Sequence, residues 1–175
     1  MDGLGWLNTA PPADAVAAFF RCCGCAGWAG AMAAARPFPT EQALFAAAET
    51  EWSKASREDI LEAISHHPRI GDRESLKTRF PETHAWASGE QSGAYEASGK
   101  VLEDLAEANR EYESRFGHIF IVCATGKTAS EMLSLLRARL ANDPKAELAI
   151  TAGEQAKITR LRLEKRLAEA GNSQA

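Results

Sequence analysis

His118-Ile119-Phe120-Ile121-Val122-Cys123-Ala124 is the one run in this chain that β-propensity reads as a buried strand. A strand needs a partner, and no second β-rich run exists to pair with it. The stretch is therefore expected as an extended buried segment (about 118–124) inside an all-α domain. Its peptide groups then need partners other than a ladder, and a bound ligand could supply some of them. Helical patterns flank it on both sides. Before it, Val101, Leu102, Leu105, Ala108 and Tyr112 recur at spacings of three and four between about Gly89 and Arg115, and Gly117 breaks the pattern. After it, Thr128 opens a helix through Met132, Leu133, Leu136 and Leu140. Asn142-Asp143-Pro144 ends that helix and starts a last long one to about Ala168.

The first third reads as shorter helices. One opens near Asp14 behind Pro11-Pro12, and an Ala-rich one runs from about Trp28 to Ala35. Arg36-Pro37-Phe38-Pro39 must stop it, since proline lacks a donor and restricts the residue before it. Thr40 starts a third helix through Trp52. Ser56, with Asp59 three residues on, resembles a capping box for a fourth over Ile60 and Ile64. The expected architecture is a single-domain helical bundle, residues 1–175, of about seven to eight helices.

A chain of 175 residues is long enough to bury a core without staples. The formal net charge of −4 and the lack of a basic stripe argue against nucleic acid or an anionic membrane as partner. No apolar run approaches the ~20 residues of a membrane span. Neither a secretory signal at Met1–Ala10 nor a peroxisomal tripeptide at the end is present, so the cytoplasm is the expected compartment. Of four cysteines, Cys22, Cys23 and Cys25 crowd together and Cys123 lies far off. A zinc site would want a second ligand pair at matching spacing, and none exists. The three are expected as small buried apolar side chains, a redox or metal role being the alternative.

Three places could carry chemistry. His67 follows His66 at a helix end and precedes Pro68 in a turn bounded by Gly71. Imidazole takes or gives a proton near neutral pH, although a capping or surface histidine would look the same locally. His66, pointing elsewhere, is expected to be structural. Glu90 and Gln91 open the helix after Trp86-Ala87-Ser88-Gly89, where free N–H groups attract anions, and an acid there is also an ordinary cap. On the last helix Arg160 falls beside a stripe of Ala149, Ala156, Leu163 and Leu167, and Arg162 nearer Ile158. Either guanidinium could turn inward to hold a carboxylate, and periodicity does not choose between them. No His-Glu-x-x-His, Walker loop or GxGxxG occurs.

Several segments together resemble the 2-oxo-4-hydroxy-4-carboxy-5-ureidoimidazoline (OHCU) decarboxylases. They are Arg36-Pro37-Phe38, His67-Pro68-Arg69-Ile70-Gly71-Asp72, Glu90-Gln91-Ser92-Gly93, Asn109-x-x-Tyr112-x-x-Arg115-Phe116-Gly117, Phe120 to Ala124 and Leu161-Arg162-Leu163. Each is short, but they keep the family's order along nearly the whole chain. The resemblance implies an all-α homodimer that acts on OHCU without metal or organic cofactor. By position, His67 matches the catalytic histidine and Pro68 lines the site. Glu90 and Gln91 match the acid and amide on the ureidoimidazoline. Phe120, Ile121, Val122, Cys123 and Ala124 match a stretch that meets substrate through its backbone. Arg162, rather than Arg160, matches the arginine of the Leu-Arg-Leu motif. The family's serine three residues before the acid is here Ala87, with Ser88 beside it, so a serine contact is lost unless Ser88 replaces it.

The implied chemistry fits these residue types. Electrons left by departing carbon dioxide can spread into the substrate ring, so the enzyme must orient, manage protons and choose the face reprotonated. The expected product is (S)-allantoin. Two rivals come from other classes. A non-catalytic helical binding module would carry a large apolar groove, and a metal-dependent hydrolase would draw on the histidines and the cysteine cluster.

Overall fold

Eight α-helices and no strand make up the regular structure of the residues described by the computed structural model, 2–70 and 99–172, with side chains to 169. They are α1 (Gly3–Thr9), α2 (Pro12–Cys23), α3 (Ala26–Ala34), α4 (Glu41–Trp52), α5 (Arg57–Ser65), α6 (Gly99–Phe116), α7 (Ala129–Arg139) and α8 (Pro144–Asn172). The all-α reading holds. Expected helix starts recur with their caps made. The Thr40 hydroxyl accepts from the Ala43 amide at 3.1 Å. Ser56 and Asp59 form the reciprocal pair at 3.1 and 2.8 Å, and Thr128 makes a capping box with Glu131. The carboxylates of Asp59 and Glu131 accept from the opening amides, which holds both below the usual carboxylate range. The chain groups into two compact units, Met1–Ala63 with Ala156–Ala175, and Ile64–Gln155.

In the first unit the core gathers on α2. Pro12 supplies a preset φ at its first position, and Ala15, Ala18, Phe19, Cys22 and Cys23 form its buried face. Phe19 meets Trp28 and Phe38 edge-on, with centroids 6.1 and 6.3 Å apart. The short helix α1 has no counterpart among the helices expected from sequence. Asp2 caps it, accepting from the Gly5 amide at 2.7 Å. Its far end is held from a distance: Arg36 Nη1 donates to the carbonyls of Leu7 and Ala10, each at 2.8 Å. Asn8 exchanges two hydrogen bonds with the backbone of Phe38, at 2.8 and 2.9 Å, beyond a cis Arg36–Pro37 peptide. The Arg-Pro-Phe motif is thus a clasp for α1. Gly3 packs directly on α8, where an added Cβ would sit 2.1 Å from the Leu167 carbonyl oxygen, so only glycine fits.

In the second unit, α6 and α7 pack around Leu105, Ala108, Tyr112, Phe116, Met132, Leu133 and Leu136, joined by Ile70, Phe120, Val122 and Ala124. Gly117, at φ 75°, ends α6 in the left-handed region that side chains avoid. Residues 119–124 follow with neither helix nor strand pairing, and most are buried. Helix α8 runs through both units and buries an unusual face. Glu147, Thr151, Gln155, Thr159 and Arg162, spaced at four, four, four and three, are all under 9% exposed. Among the described residues no helix is long and apolar enough to cross a membrane.

Candidate functional site

The turn that ends α5 separates the two histidines as expected. His66 is exposed; His67 is buried, at 9% exposure, and so are Pro68 and Ile70. The His67 amide donates to the Ile64 carbonyl at 3.0 Å, which continues the helix long enough to turn the ring inward. Arg69 then anchors the turn to α6 through a forked pair with Glu113, at 2.5 and 2.7 Å. The His67 ring Nε2 lies 2.8 Å from Oε1 of Gln155, which is fully buried on α8. No reading of the sequence singled out Gln155, because an amide breaks the apolar pattern that marks a packing face.

The irregular segment 119–124 answers the question its sequence raised about backbone partners. Side chains supply several. Arg139 Nη1 donates to the Ile121 carbonyl at 2.9 Å. Lys127 Nζ donates to the Cys123 carbonyl at 2.8 Å, and the Cys123 amide donates to Glu154 at 2.7 Å. Arg139 is itself buried and held by Glu147, with contacts of 2.5 and 2.7 Å. Glu147 further accepts from the Tyr112 hydroxyl and from Asn142 Nδ2, the latter at 2.7 Å. The Arg139 guanidinium also lies 4.7 Å from the Phe120 ring centroid. Burial, with the Glu147 carboxylate beside it, pushes the Tyr112 phenol up to about 12, so it stays a donor. A desolvated ion pair with its remaining lone pairs occupied is how two buried charges become tolerable. The network fixes the path of residues 120–124 from behind.

In the other unit the two arginines of α8 part company. Arg162 is buried at 4% exposure. Arg160 is exposed, stacked 4.3 Å from the Phe45 centroid and paired with Glu164 at 3.2 Å and Glu49 at 3.6 Å. Ala149, which helped place Arg160 beside an apolar stripe, is exposed. The buried face of α8 mixes Ile158, Leu163 and Leu167 with polar residues, so hydrophobic periodicity left the two arginines undecided, and of the two Arg162 is the one taken out of water. Cys22, Cys23 and Cys25 are all buried. Burial pushes the Cys22 thiol up to about 12, against the pull of the nearby Arg162 charge, and raises Cys23 and Cys25 as well. These thiols stay protonated and pack as small apolar groups.

Folding brings Cys25 close to Asp59 and Glu62, their ligand atoms within 4.8 Å of one another, a grouping that sequence spacing hid. Each is already used as a cap. Cys25 Sγ accepts from the Trp28 amide at 3.4 Å, Glu62 accepts from the Ala26 amide at 3.2 Å, and Asp59 serves Ser56. Of the remaining expected site residues, Ala87, Ser88, Glu90 and Gln91 lie outside the described residues.

Comparison with known proteins adds what geometry alone does not. A family model, OHCU decarboxylase, matches residues 8–164. The uric acid degradation bifunctional protein TTL of Arabidopsis thaliana is 38% identical over 144 residues, covering 82% of this chain and 44% of that protein. The uric acid degradation bifunctional protein PucL of Bacillus subtilis (strain 168) is 27% identical over 175 residues, 99% of this chain and 34% of that protein. The chain therefore spans less than half the length of either bifunctional relative. Among solved structures, an OHCU decarboxylase crystallised in the presence of (S)-allantoin superposes with a TM-score of 0.73 at 36% identity. That match covers 86% of this chain and 96% of the other.

Proposed function

Since this chain belongs to the OHCU decarboxylase family, we propose that it decarboxylates OHCU to (S)-allantoin in urate breakdown. The observation that carries the reading is selective burial: of two neighbouring histidines and two nearby arginines, His67 and Arg162 are taken out of water. They are the pair that match the family's motifs. Desolvating an imidazole and a guanidinium costs stability that apolar residues would not, so their retention points to use.

In this reading Arg162 orients the substrate through an anionic or polar group with its planar fork. His67 takes the hydroxyl proton as carbon dioxide leaves, and the electron pair spreads into the substrate's own ring. Glu90 and Gln91 hold the ureidoimidazoline, with Glu90 able to set the charge of His67 and Ser88 standing where Ala87 offers no hydroxyl. Pro68 and the 120–124 segment line the site. Within that segment we assign substrate contact to the peptide groups of Phe120 and Val122. The Ile121 carbonyl and both Cys123 peptide groups are already held by side chains. Proton return from one side gives a single enantiomer. No metal or organic cofactor enters these steps. The reading carries with it a single decarboxylase domain acting as a cytoplasmic homodimer, which sedimentation analysis of the purified chain tests.

The rival binding module asks for a long apolar groove. The groove lined by Phe45, Trp52, Ala156 and Leu163 holds about 220 Å³ and carries the Arg160 charge on its wall. That is below the ~300–1,000 Å³ common even for small-ligand pockets. The decisive assay generates the unstable substrate in situ from urate and follows allantoin by circular dichroism. Accelerated appearance of the (S) enantiomer is expected. Racemic allantoin at the uncatalysed rate would refute the reading.

A further inference from the structure

The amide of Gln155 is fully buried one turn from Thr151 and one turn from Thr159, a place where leucine or methionine would pack at no polar cost. Its oxygen faces the imidazole of His67, with Oε1 at 2.8 Å from Nε2. With that oxygen as the acceptor, the ring nitrogen opposite it is the one that carries hydrogen. In the neutral ring the other nitrogen, Nδ1, then holds the lone pair. We propose that Gln155 is a positioning residue that fixes His67 as the Nε2-protonated tautomer and makes Nδ1 the atom that receives the substrate's proton.

The choice of an amide rather than a carboxylate fits this role. A carboxylate at the same distance would favour the imidazolium and leave the ring already protonated, with no lone pair to use. The amide orients without supplying a charge. When Nδ1 takes the hydroxyl proton, the Nε2–H···Oε1 bond persists and the ring stays aligned through the step. When Nδ1 gives its proton back, the ring returns to the starting tautomer, so protons balance over a turnover. The backbone adds to the constraint: the His67 amide is tied to Ile64, and Pro68 follows directly. Ring and backbone are thereby fixed from opposite ends, which is what a proton-transfer group needs to stay within reach of its partner.

This inference rests on the decarboxylase reading for its catalytic half, but its structural half is readable without turnover. The experiment is ¹⁵N–¹H correlation of the histidine rings at neutral pH, in the wild type, Gln155→Met and Gln155→Glu, with kinetics on the same samples. In the wild type, His67 should show a solvent-protected Nε2–H and an unprotonated Nδ1. Gln155→Met, folded by circular dichroism, should lose that protected signal, with kcat down about tenfold, the scale of one lost neutral hydrogen bond, and KM little changed. Gln155→Glu retains an acceptor and should keep the signal. A wild-type His67 protonated at Nδ1 overturns the proposal, and that spectrum decides even where a variant fails to fold. So does a Gln155→Met protein that keeps both the Nε2–H signal and full kcat. Racemic allantoin at the uncatalysed rate from the wild type would instead sink the decarboxylase reading and leave the tautomer result standing, so the two failures are distinct.

Discussion

Helix α2 buries Ala15, Ala18, Phe19, Cys22 and Cys23, whereas α8 buries Glu147, Thr151, Gln155, Thr159 and Arg162 along one face. Both faces follow helical spacing. The first is held by area removed from water, is non-directional, and tolerates residues of similar size. The second is held by hydrogen bonds and charge, where each group depends on its partner and a missing partner leaves a desolvated polar atom. An apolar face says where a helix packs. A polar face kept dry is specific in its partners: Gln155 meets the ring of His67, and Glu147 holds the Arg139 guanidinium that reaches the Ile121 carbonyl.

If that contrast is right, the costliest single change lies on the polar face. Glu147→Ala leaves the buried Arg139 guanidinium without its carboxylate and should lower stability by about 3–5 kcal/mol, read from urea unfolding. A loss below about 1 kcal/mol would mean the network is far wetter than its burial indicates. Next comes the reaction itself. His67→Asn should cut kcat/KM by about 10²-fold or more, the scale of a general acid–base group, while exposed His66→Ala stays near wild type. Equal effects at both positions would erase the distinction that burial draws between them.

The smallest effect is expected in the alkaline range, where both faces hold an acid in its neutral form. The Cys22 thiol on α2 is raised from its ordinary 9.0 to about 12, and the Tyr112 phenol beside Glu147 from 10.0 to about 12. A raised folded value means the contribution is whole below the unfolded value. The unfolded chain then sheds its proton first, and stability falls as pH climbs from 9 toward 12. Cys22→Ser keeps a donor to the Ala18 carbonyl and removes the titration, so it should flatten the lower part of that limb, from about pH 9 upward. Thermal midpoints measured across the range decide it, and an unchanged limb would assign the loss elsewhere.

What the sequence discloses follows the same division. The starts at Thr40, Ser56 and Thr128 were legible because a cap and its partner lie three residues apart. The 119–124 segment was legible because its composition demanded burial and nothing offered a ladder. Helix α1 was not, since its anchors are the distant Arg36 clasp and the backbone of Leu167. The Arg139–Glu147 pair and Gln155 were not, because a search for apolar periodicity skips polar residues by construction. His67 stood out by its place before Pro68 at a helix end, and at α8, where periodicity did not choose between the arginines, the Leu161-Arg162-Leu163 motif did.

The two arginines of α8 supply the most direct test of the claim that its buried polar face serves the reaction. Steady-state kinetics with substrate generated in situ should be compared for Arg162→Lys and Arg160→Ala, each first confirmed as folded. Arg162→Lys keeps the charge but loses the planar fork. It should fall in kcat/KM by about ten- to a hundred-fold, the value of one charged hydrogen-bonding contact, while Arg160→Ala turns over like wild type. A crippled Arg160→Ala beside a fully active Arg162→Lys would contradict the account and place the working face of the helix on its exposed side.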